Sequence, residues 1–384
     1  MPADPHTRAG GTGADDDALA AMTDRLGAML ADLEELVTCE SFSADRPALV
    51  HSARTVAAQG ARLLGAAPET IVIDGVPHLR WAFGAPRVLL LGHHDTVWPP
   101  GSLADRPWTV RDGVATGPGV FDMKAGLVQM FHALASLPSL DGVCVLVTGD
   151  EEVGSATSRA LIEEAARGCA AAFVLEASAD GGALKTARKG VSNYEIVVHG
   201  RAAHAGLEPE KGVNSAVEIA HQTLAIEAIA TRAGDGTTLT PTVLAAGTAG
   251  NTVPARASLA VDVRVPTRAA QQEVDDLLHG LEPQVPGARL ELRGGPNRPP
   301  LESAASAELF ALAGRLAAAR GLGPLRAVAV GGASDGNYTA GAGCPTLDGL
   351  GAVGGGAHAD DEHVVIAEMP RRALLLADLV GATR

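Results

Sequence analysis

A short apolar segment that runs directly into three consecutive acids constrains this chain more than any other feature. Residues 143–148 have the composition of a fully buried strand, and after one glycine come Asp150, Glu151 and Glu152. Carboxylates at the end of a buried strand are costly to desolvate unless a cation meets them. Two adjacent glutamates offer two functions, because one can hold a metal while its neighbour accepts a proton from water. Taken alone, the pattern also describes a solvated acidic loop.

Two further apolar segments end in polar side chains. The apolar runs that begin at residues 87 and 171 lead into His93 with Asp95 and into Glu176. In extended backbone His93 and Asp95 share one face, so that the carboxylate can orient the imidazole as it does at metal sites. Ligands gather at the carboxyl ends of parallel strands. Acids at several neighbouring strand ends therefore predict a metal site.

A glycine-rich segment supplies a fourth candidate. Gly117 and Gly119 lie just before Asp122, and a helical pattern follows over residues 127–137. Glycines let the backbone turn sharply and approach a ligand closely. Asp122 can be the N-cap of that helix or a further carboxylate of the metal site.

The order of the segments predicts the architecture. Apolar strands alternate with helices over 18–188, which is typical of a doubly wound α/β domain. Over 189–296, alternating strands with two helices predict a small antiparallel α+β sandwich. Residues 297–384 return to helices, so the sandwich is predicted to be inserted into the α/β catalytic domain. We also predict one continuous helix over 18–37 and a linker over 294–300.

Composition restricts the class of protein. A length of 384 residues predicts two domains, and aromatic residues at 3% leave the packing to Ala, Val, Leu and 46 glycines. The formal charge of −15 argues against nucleic acid or an anionic membrane as partner. No apolar run reaches the roughly 18–20 residues of a membrane span. Residues 1–17 predict a disordered leader, and four scattered cysteines without an export signal predict a cytoplasmic protein with free thiols.

Six segments of the chain carry distinctive motifs in a fixed order: Gly92–Val97, Gly117–Lys124, Gly149–Ser155, Leu175–Glu176, Gly200–Gly206 and Gly356–Asp360. In this order they resemble one family, the co-catalytic zinc peptidases and deacylases. The family includes glutamate carboxypeptidase, aminoacylase, acetylornithine deacetylase and succinyl-diaminopimelate desuccinylase, and the bacterial glutamate carboxypeptidase branch is the most similar. The resemblance implies a doubly wound zinc-peptidase domain with an inserted ferredoxin-like dimerisation domain.

The resemblance implies two Zn²⁺ ions per chain, with Co²⁺ or Mn²⁺ as alternatives. Asp122 would bridge the two ions. Glu152 and His358 would complete one site, and His93 and Glu176 would complete the other. The family pattern also implies a cis peptide bond after Asp122.

Further roles follow from the same resemblance. Glu151 would be the general base, and Asp95 would hold the imidazole of His93. His204, in the inserted domain, would reach a neighbouring active site and stabilise the oxyanion. His94 is not a ligand, because the His-x-Asp spacing selects His93.

The implied substrate contacts lie in two regions. Asn251 and Arg264 match positions on the side of the substrate carboxylate, and Gly332 and Ser334 match a loop that lines the pocket. A further substrate arginine of the family falls near residues 293–298, where Arg293 and Arg298 both remain possible.

Together these features predict a dinuclear zinc hydrolase. Its substrate is predicted to be a small molecule with a free carboxylate, cleaved at the amide of an N-acyl amino acid or at a C-terminal residue. The resemblance also implies a choice within the family, where glutamate rather than aspartate at the position of Glu176 accompanies carboxypeptidases and deacylases. Glu176 thus favours their chemistry over release of an N-terminal amino acid. The alternatives are an amino-acid deacetylase or desuccinylase of biosynthesis and a non-catalytic binding protein of the same fold. A homodimer formed through the inserted domain is expected.

Overall fold

The computed structural model describes residues 13–384 and the side chains from residue 17 onward. Most of the predicted leader lies outside the described residues. Gly13–Asp17 lie at the start of the first helix, and disorder of the leader stays a prediction. Among the described residues, no helix is long and apolar enough to cross a lipid bilayer.

Eleven α-helices are present in the described part of the chain. Their bounds are α1 (Gly13–Thr23), α2 (Leu26–Thr38), α3 (Arg46–Leu64), α4 (Ser102–Asp105), α5 (Ala125–Leu134), α6 (Arg159–Ala166), α7 (Ser215–Arg232), α8 (Arg268–His279), α9 (Ser303–Ala319), α10 (Gly336–Gly341) and α11 (Glu368–Thr383).

Eighteen strands accompany them in the same described residues. Their bounds are β1 (Glu69–Ile73), β2 (Val76–Phe83), β3 (Val88–His93), β4 (Thr109–Arg111), β5 (Val114–Thr116), β6 (Val143–Thr148), β7 (Ala171–Val174), β8 (Leu184–Arg188), β9 (Gly190–His199), β10 (Ala203–His204), β11 (Thr238–Ala246), β12 (Thr252–Val253), β13 (Arg256–Val265), β14 (Arg289–Arg298), β15 (Ala327–Val330), β16 (Thr346–Leu347), β17 (Gly354–Gly355) and β18 (His363–Val365).

The chain forms two compact units. The first comprises the chain up to Thr186, Ser303–Ala329 and Ser334–Arg384; the second comprises Ala187–Glu302 and Val330–Ala333. The sequence predicts the inserted domain over 189–296. The short return of residues 330–333 to the second unit has no counterpart in that prediction.

A six-stranded sheet organises the first unit. Its order is β1-β2-β6-β3-β7-β16, and β3 runs parallel to both β6 and β7. Every residue of β3, β6 and β7 is buried, as expected for parallel strands covered on both faces. Leu90 and Val145 pack into one core with α3, α5 and α11, whereas Leu89 and Leu146 pack into another with α6 and α10. The parallel strands therefore end together at one edge of the sheet.

A four-stranded antiparallel sheet organises the second unit. Its order is β11-β13-β9-β14, and buried residues alternate along β13 from Ala257 to Val265. Ile219 and Ile226 of α7 and Val274 of α8 pack in the core on this sheet. The alternation follows from the period of two that a half-buried strand imposes.

Two local predictions are wrong. The helix predicted over 18–37 is two helices, because the amide of Arg25 bonds the carbonyl of Met22 at 3.2 Å and so breaks the i−4 ladder. The linker predicted over 294–300 is largely the end of β14, which pairs with β9 as far as Arg298 through a register shift. Gly294 has φ +89° there, a conformation that the glycine-rich sequence permits inside a strand.

Candidate metal centre

Three strand ends bring the predicted ligands together. His93 is the last residue of β3, Glu151 and Glu152 lie in a single turn after β6, and Glu176 lies two residues after β7. Because β3 lies between β6 and β7, these side chains meet at the same edge of the sheet. Ligand atoms of His93, Glu151 and Glu176 all lie within 4.8 Å of one another.

Asp122 lies between the two predicted histidines. Its Oδ1 is 3.4 Å from Nε2 of His93, and its Oδ2 is 3.4 Å from Nε2 of His358. His358 Nε2 is also 3.2 Å from Oε2 of Glu152, and His93 Nε2 is 3.5 Å from Oε1 of Glu176. The two carboxylate oxygens of Asp122 thus face two separate groups of donors. The cis peptide bond expected after Asp122 is present between Asp122 and Met123.

The donors at this centre fit metal ions. Buried atoms that make no hydrogen bond within the described structure include Nε2 of His93, Oδ1 of Asp122 and Oε1 of Glu152. Buried polar atoms are rarely left without a partner, so three of them on neighbouring side chains fit the binding of a metal ion at this centre. Imidazole nitrogen and carboxylate oxygen are donors that suit Zn²⁺ and similar divalent ions.

The electrostatics agree with a cation site. Hydrogen bonds to Asp122 and Glu152 raise the pKa of His358 to about 10. Burial lowers the pKa of His93, but the carboxylates of Asp122, Asp95 and Glu176 outweigh it and raise this pKa well above the ordinary value. Protons bind at the nitrogens that a metal would occupy, so metal and protons compete for the site.

Asp95 forms contacts at the ends of both β3 and β6. Its backbone carbonyl lies 3.0 Å from Nδ1 of His93, and its carboxylate accepts the backbone amides of Glu151 and Glu152 at 3.2 Å each. Ser43 donates a third hydrogen bond to the carboxylate at 2.8 Å. Asp95 is fully buried, and it therefore orients the imidazole and the acidic turn together.

The acids of the triplet have different neighbours. Asp150 accepts hydrogen bonds from the amide and hydroxyl of Thr157 and from the hydroxyl of Ser158, which fixes the start of α6. Glu151 is 9% exposed and reaches the donors around His93. His94 points elsewhere, since its ring nitrogens lie near Ser52 and Pro77 and burial lowers its pKa to about 4.

The sequence analysis missed one residue, Glu362. Its Oε1 accepts the backbone amides of Phe121 and Asp122 at 2.9 and 3.0 Å. Its Oε2 accepts the amide of Gly119 at 2.9 Å and Nε1 of Trp98 at 2.7 Å. Glu362 is 3% exposed and holds the turn that carries Asp122. Its only sequence signal is an acid four residues after His358.

The other predicted residues lie as follows. Ser334 is buried in the first unit, where its hydroxyl donates to Asp348 at 2.6 Å and accepts the amide of Gly336 at 3.1 Å. Gly332 is in the second unit, and its carbonyl accepts a hydrogen bond from Arg188. These contacts fix loop conformation; substrate binding by Ser334 and Gly332 remains a prediction.

Within the second unit, His204 and Asn251 are neighbours. The carbonyl of Asn251 accepts the amide of Ala205 at 2.9 Å, and both His204 and Asn251 are exposed. The amide of Gly206 donates to Nδ1 of His204, which places the proton of the neutral ring on Nε2.

The three candidate substrate arginines of the second unit differ in their contacts and burial. Arg264 forms two hydrogen bonds to Asp262 along β13. Arg293 pairs with Glu291 and Glu195 at the surface, and Arg298 is buried.

Comparison with known proteins gives the family. The model of peptidase family M20/M25/M40 matches residues 89–382. The chain belongs to this family. Carboxypeptidase G2 of Pseudomonas sp. (strain RS-16) is 30% identical over 94% of this chain and 90% of that protein. Succinyl-diaminopimelate desuccinylase of Wolinella succinogenes is 29% identical over 76% of this chain and 83% of that protein.

Solved structures show the same fold. The YXEP protein of Bacillus subtilis, described as a dinuclear metal binding peptidase, aligns with a TM-score of 0.62 at 17% identity, over 95% of this chain and 99% of that one. The predicted family and the predicted α/β fold class are confirmed. The M20 family member described here is a metal-dependent hydrolase.

Proposed function

We propose that this M20 family member uses two Zn²⁺ ions to hydrolyse the amide bond of an N-acyl amino acid or of a C-terminal residue. One observation carries the proposal: the two oxygens of Asp122 face two different histidines, each beside its own glutamate. A carboxylate in this position fits a bridge between two ions. His93 with Glu176 would hold one ion, and His358 with Glu152 the other.

The residues around the ions would divide the chemistry. Bound zinc polarises a carbonyl and makes water acidic enough to lose a proton near neutral pH. Glu151, buried beside His93 and Glu176, would accept that proton and return it to the leaving nitrogen. His204 is exposed, and its Nδ1 accepts a hydrogen bond from Gly206, so Nε2 is the ring nitrogen that can donate. We propose that Nε2 donates to the oxyanion that forms on the substrate carbonyl in the active site of a neighbouring subunit.

The substrate class rests on the relatives and on residue 176. The relative at 30% identity is a carboxypeptidase, and glutamate at 176 accompanies carboxypeptidases and deacylases in the family. We infer a small substrate with a free carboxylate, glutamate-like in the first instance. Asn251 and Arg264 are its proposed contacts in the second unit, and Gly332 and Ser334 would line the pocket.

A second candidate function is removal of a succinyl group from an amino acid. The succinyl-diaminopimelate desuccinylase of Wolinella succinogenes, 29% identical, favours it. Both reactions break an amide next to a carboxylate, so both would use the same metal centre.

We also propose a cytoplasmic homodimer. All four cysteines are free and buried, which suits a reducing compartment. The support for a dimer is the exposed apolar surface of the second unit, where Leu224 on α7 is 68% exposed and Val243 on β11 is 65% exposed.

Metal content and substrate preference test the proposal together. Wild type dialysed against trace zinc is expected to retain about two ions per chain by elemental analysis, and Asp122→Ala should weaken both sites. Hydrolysis of N-acetyl-glutamate, N-benzoyl-glutamate and N-succinyl amino acids would then rank the acyl groups. A dipeptide with a free amino terminus is the control substrate. Absence of bound metal, or preference for that dipeptide, would contradict the proposal.

A further inference from the structure

A cavity of about 410 Å³ lies in the first unit, apart from the proposed metal ligands. Arg326, Arg371 and Arg372 line it, and Glu368 is the one carboxylate among its lining residues in the described structure. A local excess of positive charge is notable in a chain whose formal charge is −15. The volume is in the range of small-molecule sites.

Arg372 places a buried positive charge at this cavity. The residue is 5% exposed, and its guanidinium donates to the carbonyls of Gly349, Gly351 and Gly182. No ion pair joins Arg372 to a carboxylate within the described residues. Burial lowers its pKa to about 10, which leaves the group charged at neutral pH. Glu368 is the one carboxylate of the cavity that acts on Arg372, and it also pairs with Arg371. Three guanidinium groups therefore face one carboxylate, and this excess of positive charge favours binding of an anion.

Arg326 and Arg371 have donors that remain available. Nη2 of Arg326 binds the carbonyls of Asp180 and Gly181, and no protein partner among the described residues takes its Nε or Nη1. Arg371 uses Nη2 on the carbonyl of Leu322 and Nε on Glu368, 3.3 Å away, which leaves Nη1. Guanidinium groups bind carboxylates and phosphates with paired hydrogen bonds.

The remaining wall of the cavity is apolar. Leu322, Leu325, Val353 and Leu375 line it beside the arginines. We propose that the cavity binds a small organic anion, a carboxylate or a phosphate monoester that carries a short alkyl group. The anionic end would contact Arg326 and Arg371 near the charge of Arg372, and the alkyl end would contact the leucines.

The cavity is connected to the metal centre through the backbone. Arg372 holds the carbonyl of Gly351, and the amide of Gly351 donates to the carbonyl of Glu176 at 2.8 Å. A bound anion should therefore slow amide hydrogen exchange in residues 322–326 and 349–353. This readout locates the site and does not depend on the proposed metal chemistry.

Calorimetric titration of the zinc-loaded full chain tests the proposal with three probes: hexanoate, butyl phosphate and the uncharged hexanamide. Both anions should bind saturably and hexanamide should not. The variant Arg326→Ala/Arg371→Ala should bind the anions at least tenfold more weakly. Arg54→Ala, which removes an exposed arginine of α3, is the matched control and should bind as wild type does.

Two further variants distinguish the cavity from the metal centre and guard against misfolding. Carboxylates can bind zinc, so the titrations are repeated with Asp122→Ala, whose anion affinity at the cavity should be unchanged. If the double variant fails to fold, Arg326→Gln alone, at an exposed position, should still weaken binding at least threefold. Stronger binding of hexanoate or of butyl phosphate identifies the preferred head group.

Three results would overturn the proposal. They are no saturation at roughly 20 mM anion, affinity that survives loss of both arginines, and hexanamide binding as tightly as hexanoate. Failure of the metal proposal would instead appear in metal content and hydrolysis, so the two can be told apart.

Discussion

Glu151 and Glu152 occupy one turn but have different neighbours. Oε2 of Glu152 is 3.2 Å from Nε2 of His358, whereas Glu151 reaches the donors around His93 and Glu176. Adjacent side chains in a tight turn diverge, which suits the proposed roles of Glu152 as a metal ligand and Glu151 as the general base. Under that proposal the difference between the two glutamates follows from backbone geometry, because their side chains are chemically identical.

Replacement of Glu151 by glutamine tests the role of general base. The variant keeps the shape of the side chain but its amide cannot accept a proton from water, so kcat should fall by about 10²–10⁴-fold with little change in metal content. Glu152→Gln is the matched control and should lose metal as well as activity. Steady-state kinetics with elemental analysis measures both. A Glu151→Gln enzyme with most of its activity would exclude this residue as the base.

Replacement of Glu362 by glutamine tests the support of Asp122. Both oxygens of Glu362 accept backbone N–H groups, and in glutamine one of them is replaced by an NH₂ group, which is itself a donor. Donor would then face donor, so the turn at residues 119–122 should shift. Metal affinity should fall by about 10–100-fold, the usual cost of losing a group that orients ligands. Asp360→Asn, at a residue whose side chain is 85% exposed, is the control and should bind metal normally. Competition with a chelator of known affinity measures the difference.

The candidate ligands could be predicted from sequence because each follows an apolar strand or a recognisable motif. Glu362 could not, because its partners are backbone amides some 240 positions earlier in the chain. Any sequence presents those amides, so they leave no pattern in the residues around them. Candidate metal ligands can therefore be predicted from sequence, whereas a residue that acts by binding backbone amides, as Glu362 does, cannot.

At the scale of elements, α5 packs unusually close to the end of β7. A Cβ atom at Gly126 would lie 2.2 Å from the carbonyl oxygen of Leu175, the residue before Glu176. Gly126→Ala must push the helix or the ligand away, and we expect a loss of about 1–3 kcal/mol in the free energy of unfolding. Metal affinity should fall too, because Glu176 moves with Leu175.

A second glycine provides the control for this prediction. Gly314 lies inside α9 with no atom within 4 Å of the position a Cβ would take. Gly314→Ala should therefore stabilise the protein by about 0.5–1 kcal/mol through helix propensity alone. Denaturant unfolding of both variants gives the two values. Equal effects at residues 126 and 314 would contradict the packing argument.

The junction of β2 with the acidic turn makes stability depend on pH. His78 is fully buried, accepts the amide of Gly149 on Nδ1 and donates from Nε2 to Thr157. Burial lowers its pKa, although Asp150 and Asp95 oppose the shift. The folded state keeps the ring neutral while the unfolded state binds a proton below about pH 6.5. His78 therefore reduces stability as the pH falls through that value.

Comparison of wild type with His78→Gln isolates this contribution. In metal-free protein, the free energy of unfolding of wild type should fall more steeply between pH 7 and 5.5 than that of the variant. The difference in slope can reach about 1.4 kcal/mol per pH unit for one proton. Parallel curves would show that His78 does not take part.

Element boundaries show where local patterns end. The apolar runs that form β3, β6 and β7 are predictable because parallel strands bury both faces. The break between α1 and α2 is not predictable from sequence, because it depends on one tightened turn at Arg25 that contains neither glycine nor proline. The last part of β14, residues 294–298, could not be predicted as a strand either. Its glycines and proline are typical of linkers, so the local sequence indicates a break where the strand continues.

At the scale of the whole molecule, the second unit leaves apolar side chains uncovered. Val217 and Leu224 lie seven residues apart on one face of α7 and are 47% and 68% exposed. On β11, an edge strand, the consecutive residues Val243 and Leu244 are 65% and 53% exposed, so both faces are uncovered at this end of the strand, whereas Leu239 near its start is buried. An uncovered edge strand beside an apolar helix face favours pairing with a second copy of the chain.

Charge on this surface should therefore separate the proposed dimer. Val243→Lys combined with Leu224→Lys places like charges in the proposed apolar contact, where they repel each other and burial of each is costly. We expect the mass in solution to fall from twice that of the chain to that of one chain. Light scattering after gel filtration measures the mass. Val72→Lys, on β1 of the first unit where the residue is 62% exposed, is the control and should leave the mass unchanged. Because His204 is proposed to act in a neighbouring active site, the separated chain should also lose kcat while it keeps its metal. A wild type that is monomeric and fully active would remove both the dimer and the role of His204.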